Sequence, residues 1–146
     1  MGSISIGMMG LGVVGTGVIN AILEKAGALA DHAGAPVQIA KVLVRDLRTK
    51  RPHVPKGLSL TTNPADIVDD QDIQIVIEVM GGEHPAYEYI AAALRAGKHV
   101  VTANKELMAK RGPELLHIAS EHGSALRFEA SVGGGIPIIG PLLDIQ

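Results

Sequence analysis

The 146-residue chain contains no cysteine and no tryptophan, and only two tyrosines and one phenylalanine. Without thiols these residues can build no disulfide framework, no thiolate metal site and no cysteine nucleophile. With aromatics at 2% and apolar residues at 47%, the core has to come from Ile, Val, Leu, Ala and Met, the composition of a parallel sheet buried on both faces. A strong charge of one sign is missing too. The formal net charge of -2 gives no electrostatic reason to expect nucleic acid or an anionic membrane as partner. No apolar run approaches the roughly 18 residues of a membrane span, and no basic stretch leads into an apolar leader at the start. Ile6 stands where a myristoylation signal beginning at Met1-Gly2 would need Ser or Thr. The expectation is a cytoplasmic, soluble protein with one domain and a substantial core.

What is present is organised around the first fifteen residues. An apolar run, Ile4 to Met9, breaks at Gly10-Leu11-Gly12-Val13-Val14-Gly15 and passes at once into a helical pattern, with Val14, Val18, Ile22, Ala26 and Leu29 on one face. This is a G-x-G-x-x-G turn between a buried strand and a helix. Gly10 permits the tight turn, Gly12 lets the backbone approach a pyrophosphate, and Gly15 lets helix and strand pack closely. The free N–H groups and positive dipole end of the helix then face the pyrophosphate. The context favours dinucleotide binding over a purely structural glycine turn.

Strand and helix signals alternate along the rest of the chain. Val37 to Val44 reads as a strand closed by Arg45-Asp46. At the end of a second strand in such a fold, Asp or Glu binds the adenosine 2′-hydroxyl of NAD, whereas Arg neutralises the 2′-phosphate of NADP. Arg45 leans towards NADP, with Lys50 and Arg51 nearby; Asp46 keeps NAD open, and a solvated loop charge is the bland alternative for Arg45. Asn63 and Pro64 look like the cap and first residue of a helix, with Asp66 favouring its dipole. The acidic group Asp69, Asp70 and Asp72 reads as a solvated turn. Ile73 to Val79 is the next strand, and Met80-Gly81-Gly82 ends it near the first glycine turn. His84-Pro85 starts a helix with Ile90, Ala93 and Leu94 inward, stopped by Gly97. Lys98 to Val101 is a strand delivering Thr102-Ala103-Asn104-Lys105. Pro113 is expected to open a helix with Leu116 and Ala119 inward, joined by Leu115 and Ile118, and Ala125 to Phe128 a further strand. The fold class is α/β, a Rossmann-like doubly wound parallel sheet with right-handed crossovers.

Few side chains offer chemistry. Lys105 follows a strand at the carboxyl edge, where open α/β sheets bind ligands; it can hold a substrate oxygen or transfer a proton, or be an ordinary ammonium at a helix start. The six histidines form no H-E-x-x-H pattern, and no serine sits in a G-x-S-x-G elbow. Gly133 to Gly135 suggests exposed carbonyls and close approach of a ligand, or a hinge.

Together these blocks resemble the amino-terminal half of homoserine dehydrogenases: the Gly10 to Gly15 turn, Val44-Arg45-Asp46, Glu78-Val79-Met80-Gly81-Gly82, Thr102-Ala103-Asn104-Lys105, and Glu129 through Gly133-Gly134-Gly135 to Pro137. The last three are far more specific than the first. The resemblance implies an NAD(P)-dependent oxidoreductase that interconverts L-aspartate 4-semialdehyde and L-homoserine, on the route to threonine, methionine and isoleucine. It implies NADP(H) or NAD(H) as cofactor, with Gly10, Gly12, Val13, Val14 and Gly15 at the pyrophosphate, Arg45 at the 2′-position, and Met80 and Gly81 beside the cofactor. Lys105 is implied at the nicotinamide and substrate, in proton transfer or substrate binding. A sodium-type monovalent cation is implied at the backbone carbonyls of Glu129, Val132, Gly134 and Ile136, hard donors that suit such an ion.

The family's second domain, which carries further substrate-binding and catalytic groups, has no counterpart here. Residues 1-130 are therefore expected to form the NAD(P)-binding domain and residues 131-146 the start of the connection to a substrate and dimerisation domain. These residues alone should turn over little or no substrate, and the full-length enzyme should be a homo-oligomer. The competing expectation is a free-standing regulatory dinucleotide-binding module. A phosphorylating aldehyde dehydrogenase of similar fold would need a cysteine nucleophile, and none occurs in these residues.

Overall fold

The computed structural model describes residues 2-132 together with Ile139 and Leu142. Six parallel strands form one sheet: β1 (Ile4–Met9), β2 (Val37–Leu43), β3 (Leu60–Thr61), β4 (Ile73–Glu78), β5 (His99–Thr102) and β6 (Leu126–Arg127), in the order β3-β2-β1-β4-β5-β6. The helices are α1 (Val13–Glu24), α2 (Ala26–Ala33), α3 (Ala65–Val68), α4 (Ala86–Arg95) and α5 (Lys105–Glu121), followed by a 3-10 turn at Glu129–Ser131. This is the doubly wound Rossmann order, and its connections diverge from β1.

The side-chain alternation of β1 feeds two cores. Met8 points to one face, where it packs with Ile19 of α1, Val42 and Val44. Met9 points to the other, with Leu43, Ile67, Ile90, Leu94, Val100, Leu107 and Leu115. Gly7 lies on that second face, and a Cβ there would stand 2.4 Å from Ile67 Cγ2, so its missing side chain is what lets α3 press onto the central strand.

Three expectations about the elements change. The stripe drawn from Val14 through Leu29 is not one helix face, because the chain breaks at Lys25 and α2 leaves α1 at 76°. Within α1 the buried residues are Gly15 and Ile19, while Val14 is 56% exposed. Gly15 must face the backbone of the first turn, and with about 100° of rotation per residue that choice turns Val14 outward. Pro113 does not open a helix: α5 begins at Lys105, capped by Asn104, whose side chain accepts from the Leu107 amide at 3.1 Å. Pro113 lies on the exposed face, where water can satisfy the carbonyl that loses its partner. Leu116 is 42% exposed rather than inward, while Leu115, Ile118 and Ala119 are buried. Leu60 and Thr61 also form the edge strand β3, paired to Val42 and Leu43.

The cap of α3 falls on Pro64 rather than Asn63, whose Oδ1 accepts from the Ala65 amide at 3.2 Å and whose Nδ2 donates to Asp66 at 3.1 Å just ahead of the helix. Gly97 takes φ of +77° where α4 stops. No single helix among the described residues is long and apolar enough to cross a membrane.

Candidate dinucleotide site

Strand β1 lies between β2 and β4, so the chain departs from its carboxyl end towards both sides of the sheet and leaves a crevice there. A cleft of about 470 Å³ fills this position. Gly10, Leu11 and Gly12 line it from the first turn, Arg45, Asp46, Thr49 and Arg51 from the loop after β2, and Met80, Gly81, His84 and Tyr89 from the segment after β4.

The three fingerprint glycines do separable work. Gly10 has φ of +105°, and a Cβ there would lie 2.9 Å from the Val79 carbonyl oxygen, so the turn and the neighbouring strand end both require glycine. Gly12 caps α1; a Cβ there would meet nothing within 4 Å, and no side chain caps the helix. The first amides of α1 have neither intrahelical acceptors nor a competing acid, since the first turn holds no Asp or Glu. Gly15 is pressed against the first turn, where a Cβ would stand 2.7 Å from the Gly10 carbonyl oxygen.

Charge in the loop after β2 is sorted by its own hydrogen bonds. Asp46 Oδ1 accepts from the Arg48 amide at 2.8 Å and lies 3.5 Å from Arg48 Nε. Arg51 donates to the backbone carbonyls of Asp46 at 2.8 Å and Thr49 at 2.9 Å, which fixes the loop. Arg45 is exposed, lines the cleft and has no hydrogen-bond or ion-pair partner among the described residues. The acid at this strand end is turned to its own loop, whereas Arg45 is not engaged by it.

Across the cleft, β4 and β5 end in a buried polar circuit. Glu78 is fully buried; its Oε1 accepts from the Met80 and Gly81 amides at 2.7 and 3.2 Å, and its Oε2 accepts from Thr102 Oγ1 at 2.6 Å. Gly81 and Gly82 both take positive φ, +77° and +75°, a consecutive pair that side chains would strain. Lys105, the first residue of α5, stands at the same sheet edge but outside the cleft lining; it is exposed and unpaired among the described residues.

An ionic cluster ties α4 to α5 beside the cleft. Lys110 Nζ lies 2.7 Å from Glu106 and 3.1 Å from Glu83, Arg111 stacks 4.0 Å from the Tyr87 ring centroid and pairs with Glu114 at 2.7 Å, and Tyr87 also donates to Glu114. The hydrogen bond from Lys110 holds the Glu83 carboxyl below its ordinary value. His84, which lines the cleft, sits 2.6 Å from Glu88; the Glu88 carboxyl is held low by its backbone hydrogen bond and then by His84.

The structure thus brings Gly10, Gly12, Arg45, Met80 and Gly81 around one cavity. It places Gly15 inside the helix-strand contact, and Val13 and Val14 in the first helical turn with exposed side chains, 93% and 56%, outside the cleft lining. Of the carbonyl group suggested for a cation, Glu129 and Val132 bracket the 3-10 turn, whereas Gly134 and Ile136 lie outside the described residues, as do Gly133 and Gly135. Among the described residues no group of three or more His, Cys, Asp or Glu could hold a metal ion. Sequence reasoning overlooked Glu78 as an individual residue. Its one visible sign is a lone acid at the end of the apolar run Ile73 to Val79, just before a glycine pair.

The family model described as the NAD-binding domain of homoserine dehydrogenase matches residues 10-129. Homoserine dehydrogenase of Bacillus subtilis is 51% identical over 140 residues, 95% of this chain and 32% of the relative. That of Synechocystis is 41% identical over 141 residues, again 32% of its length. Among solved structures, a homoserine dehydrogenase from Thiobacillus denitrificans superposes with a TM-score of 0.90 at 44% identity, covering 97% of this chain and 32% of its own. A hyperthermophilic archaeal homoserine dehydrogenase in complex with NADPH superposes with a TM-score of 0.77 at 25% identity, over 96% of this chain and 48% of its own. The chain spans about a third of the length of the curated relatives it matches.

Proposed function

This chain belongs to the homoserine dehydrogenase family, of which it is the NAD-binding domain, and on that premise we propose that it binds NADPH in the switch-point cleft for hydride exchange between L-homoserine and L-aspartate 4-semialdehyde. The observation that carries this is the convergence of an uncapped, acid-free helix start at Gly12 and the unpaired Arg45 on one cavity. Open space beside Gly12 suits a pyrophosphate, and the first amides of α1, from Val13 to Gly15, supply its donors. Arg45 supplies the cation for the adenosine 2′-phosphate, because Asp46 is committed to Arg48. NADH remains a weaker ligand of the same site, through the contacts it shares.

The nicotinamide, when bound, supplies or accepts the hydride. The chain's own residues bind and orient: Met80 and Gly81 present a turn of fixed shape beside the cleft, and Lys105 offers an ammonium at the same edge to hold a substrate oxygen or move its proton. A sodium-type ion at the carbonyls of Glu129, Val132, Gly134 and Ile136 belongs to the same proposal. The Glu129 carbonyl accepts from the Val132 amide at 3.1 Å, which fixes its direction at the end of the 3-10 turn. Homo-oligomerisation of a longer protein carrying this domain is also part of it.

The test is a chimaera in which these residues replace the matching third of the Bacillus subtilis relative. It is expected to reduce NADP+ with L-homoserine. A folded chimaera that binds NADPH but lacks that activity contradicts the substrate assignment.

A further inference from the structure

Burying a carboxylate is costly unless hydrogen bonds replace its water. Glu78 is fully buried, and no cation pairs with it among the described residues. A leucine would fill this place between apolar strands without the cost, so the position of its donors carries the meaning. They come from two different strand ends: the Met80 and Gly81 amides after β4, and the Thr102 hydroxyl that ends β5.

The circuit then continues. Thr102 Oγ1 accepts from the Asn104 amide at 3.0 Å, the Asn104 side chain caps α5 at Leu107, and Asn104 Nδ2 donates to the Gly82 carbonyl at 2.6 Å. Glu78, the Met80 to Gly82 turn, Asn104 and Thr102 therefore form a closed ring of hydrogen bonds. Met80 and Gly81 line the cleft, whereas Glu78, Thr102 and Asn104 do not. Lys105 follows Asn104 directly.

We propose that Glu78 is a positioning residue, whose carboxylate locks the Met80 to Gly82 turn and the start of α5 into one unit, so that occupation of the cleft is transmitted to Lys105. The role rests on the cofactor site assigned above. A ring of this kind polarises its members and has one low-energy arrangement, so loosening one link frees the others.

Thr102→Val removes the hydroxyl while keeping the shape, leaving Glu78 its two amide donors but opening the ring on its Thr102 side, so that only the Asn104 bond to the Gly82 carbonyl still joins the turn to α5. In the wild-type chain, NADPH is expected to shift the amide NMR signals of Gly81 and Lys105 together. In Thr102→Val the Gly81 response persists, the Lys105 response shrinks severalfold, and NADPH binds about tenfold more weakly, the size of one lost hydrogen bond to a charged acceptor. Thr102→Ser restores the Lys105 response, which a merely structural loss would not predict for that signal alone. An undiminished Lys105 response in a folded Thr102→Val chain overturns the positioning role. The absence of any NADPH response in the wild type has a different signature and overturns the cofactor assignment, and the positioning role with it. Should Thr102→Val fail to fold, hydrogen exchange of the wild type decides: Met80, Gly81 and Leu107 amides opening with one shared free energy support the ring, and independent opening of Gly81 overturns it.

Discussion

The Cβ that Gly15 lacks would stand 2.7 Å from the carbonyl oxygen of Gly10. One glycine of the fingerprint thus closes the fold, while another, Gly12, faces open space. The two substitutions should separate stability from binding. Gly15→Ala is expected to destabilise the chain by about 1–3 kcal/mol, since a backbone oxygen cannot yield as a flexible side chain would. Gly12→Ala should change stability by less than about 1 kcal/mol, yet abolish measurable NADPH binding by placing a methyl where the pyrophosphate lies. Urea denaturation and fluorescence titration with NADPH, run on both variants, check the dissociation.

Much of this was legible in the residues, and what was not has a physical cause. The glycine turn, the alternation of strands and helices, and Arg45 at the second strand end are local patterns, and the fold keeps them. The face of α1 was misassigned because close packing at Gly15, a tertiary demand, outweighed the apolar stripe. Pro113 read as a start because proline favours first turns, but the Asn104 cap upstream had already nucleated the helix. The link of Glu78 to Thr102 and the partners of Lys98 could not be placed by pattern, since they lie 24 to 28 residues away in the chain.

Lys98 supplies the second prediction. It is buried at the opposite edge of the sheet from the cleft, where Nζ donates to the carbonyls of Asp70 at 2.5 Å and Ile73 at 2.8 Å. Lys98→Met removes the ammonium donor from both carbonyls, leaving that of Asp70 only the Ile73 amide at 3.3 Å, at a cost of about 1–3 kcal/mol, and should leave NADPH affinity unchanged. Loss of affinity without loss of stability would contradict this separation.

The same lysine sets an alkaline pH dependence. Burial lowers its pKa, and the charges of Asp70 and Asp69 offset only part of that. The folded state therefore releases this proton at lower pH than the unfolded chain does, so this group's contribution to stability rises as pH climbs towards the ordinary lysine range. Urea midpoints followed into alkaline pH should show this rise as a difference between wild type and Lys98→Met. Parallel curves would refute it.

On the acid side the cluster joining α4 and α5 governs. The carboxyls of Glu83, Glu88 and Glu114 are all held low, led respectively by the hydrogen bond from Lys110, a backbone hydrogen bond and the hydrogen bond from Tyr87. Their contribution is present above the ordinary glutamate range and is lost as pH falls through the lowered values. Glu88 and Glu114 are solvent-exposed and Glu83 is half-buried, so high salt should shrink the effect. Glu83→Gln is expected to flatten the acid limb of stability against pH; an unchanged limb would show that the cluster is decorative.

The central claim, that Arg45 and the Gly12 helix start form an NADPH site in residues 1-146, is tested most directly by calorimetric titration of the chain with NADPH and NADH, repeated with Arg45→Ala. NADPH should bind more tightly than NADH, and the substitution should remove most of the difference, on the order of a kcal/mol or more for a charged phosphate contact, while leaving NADH affinity unchanged. Equal affinity for the two nucleotides in the wild type, or a preference that survives Arg45→Ala, would contradict the assignment.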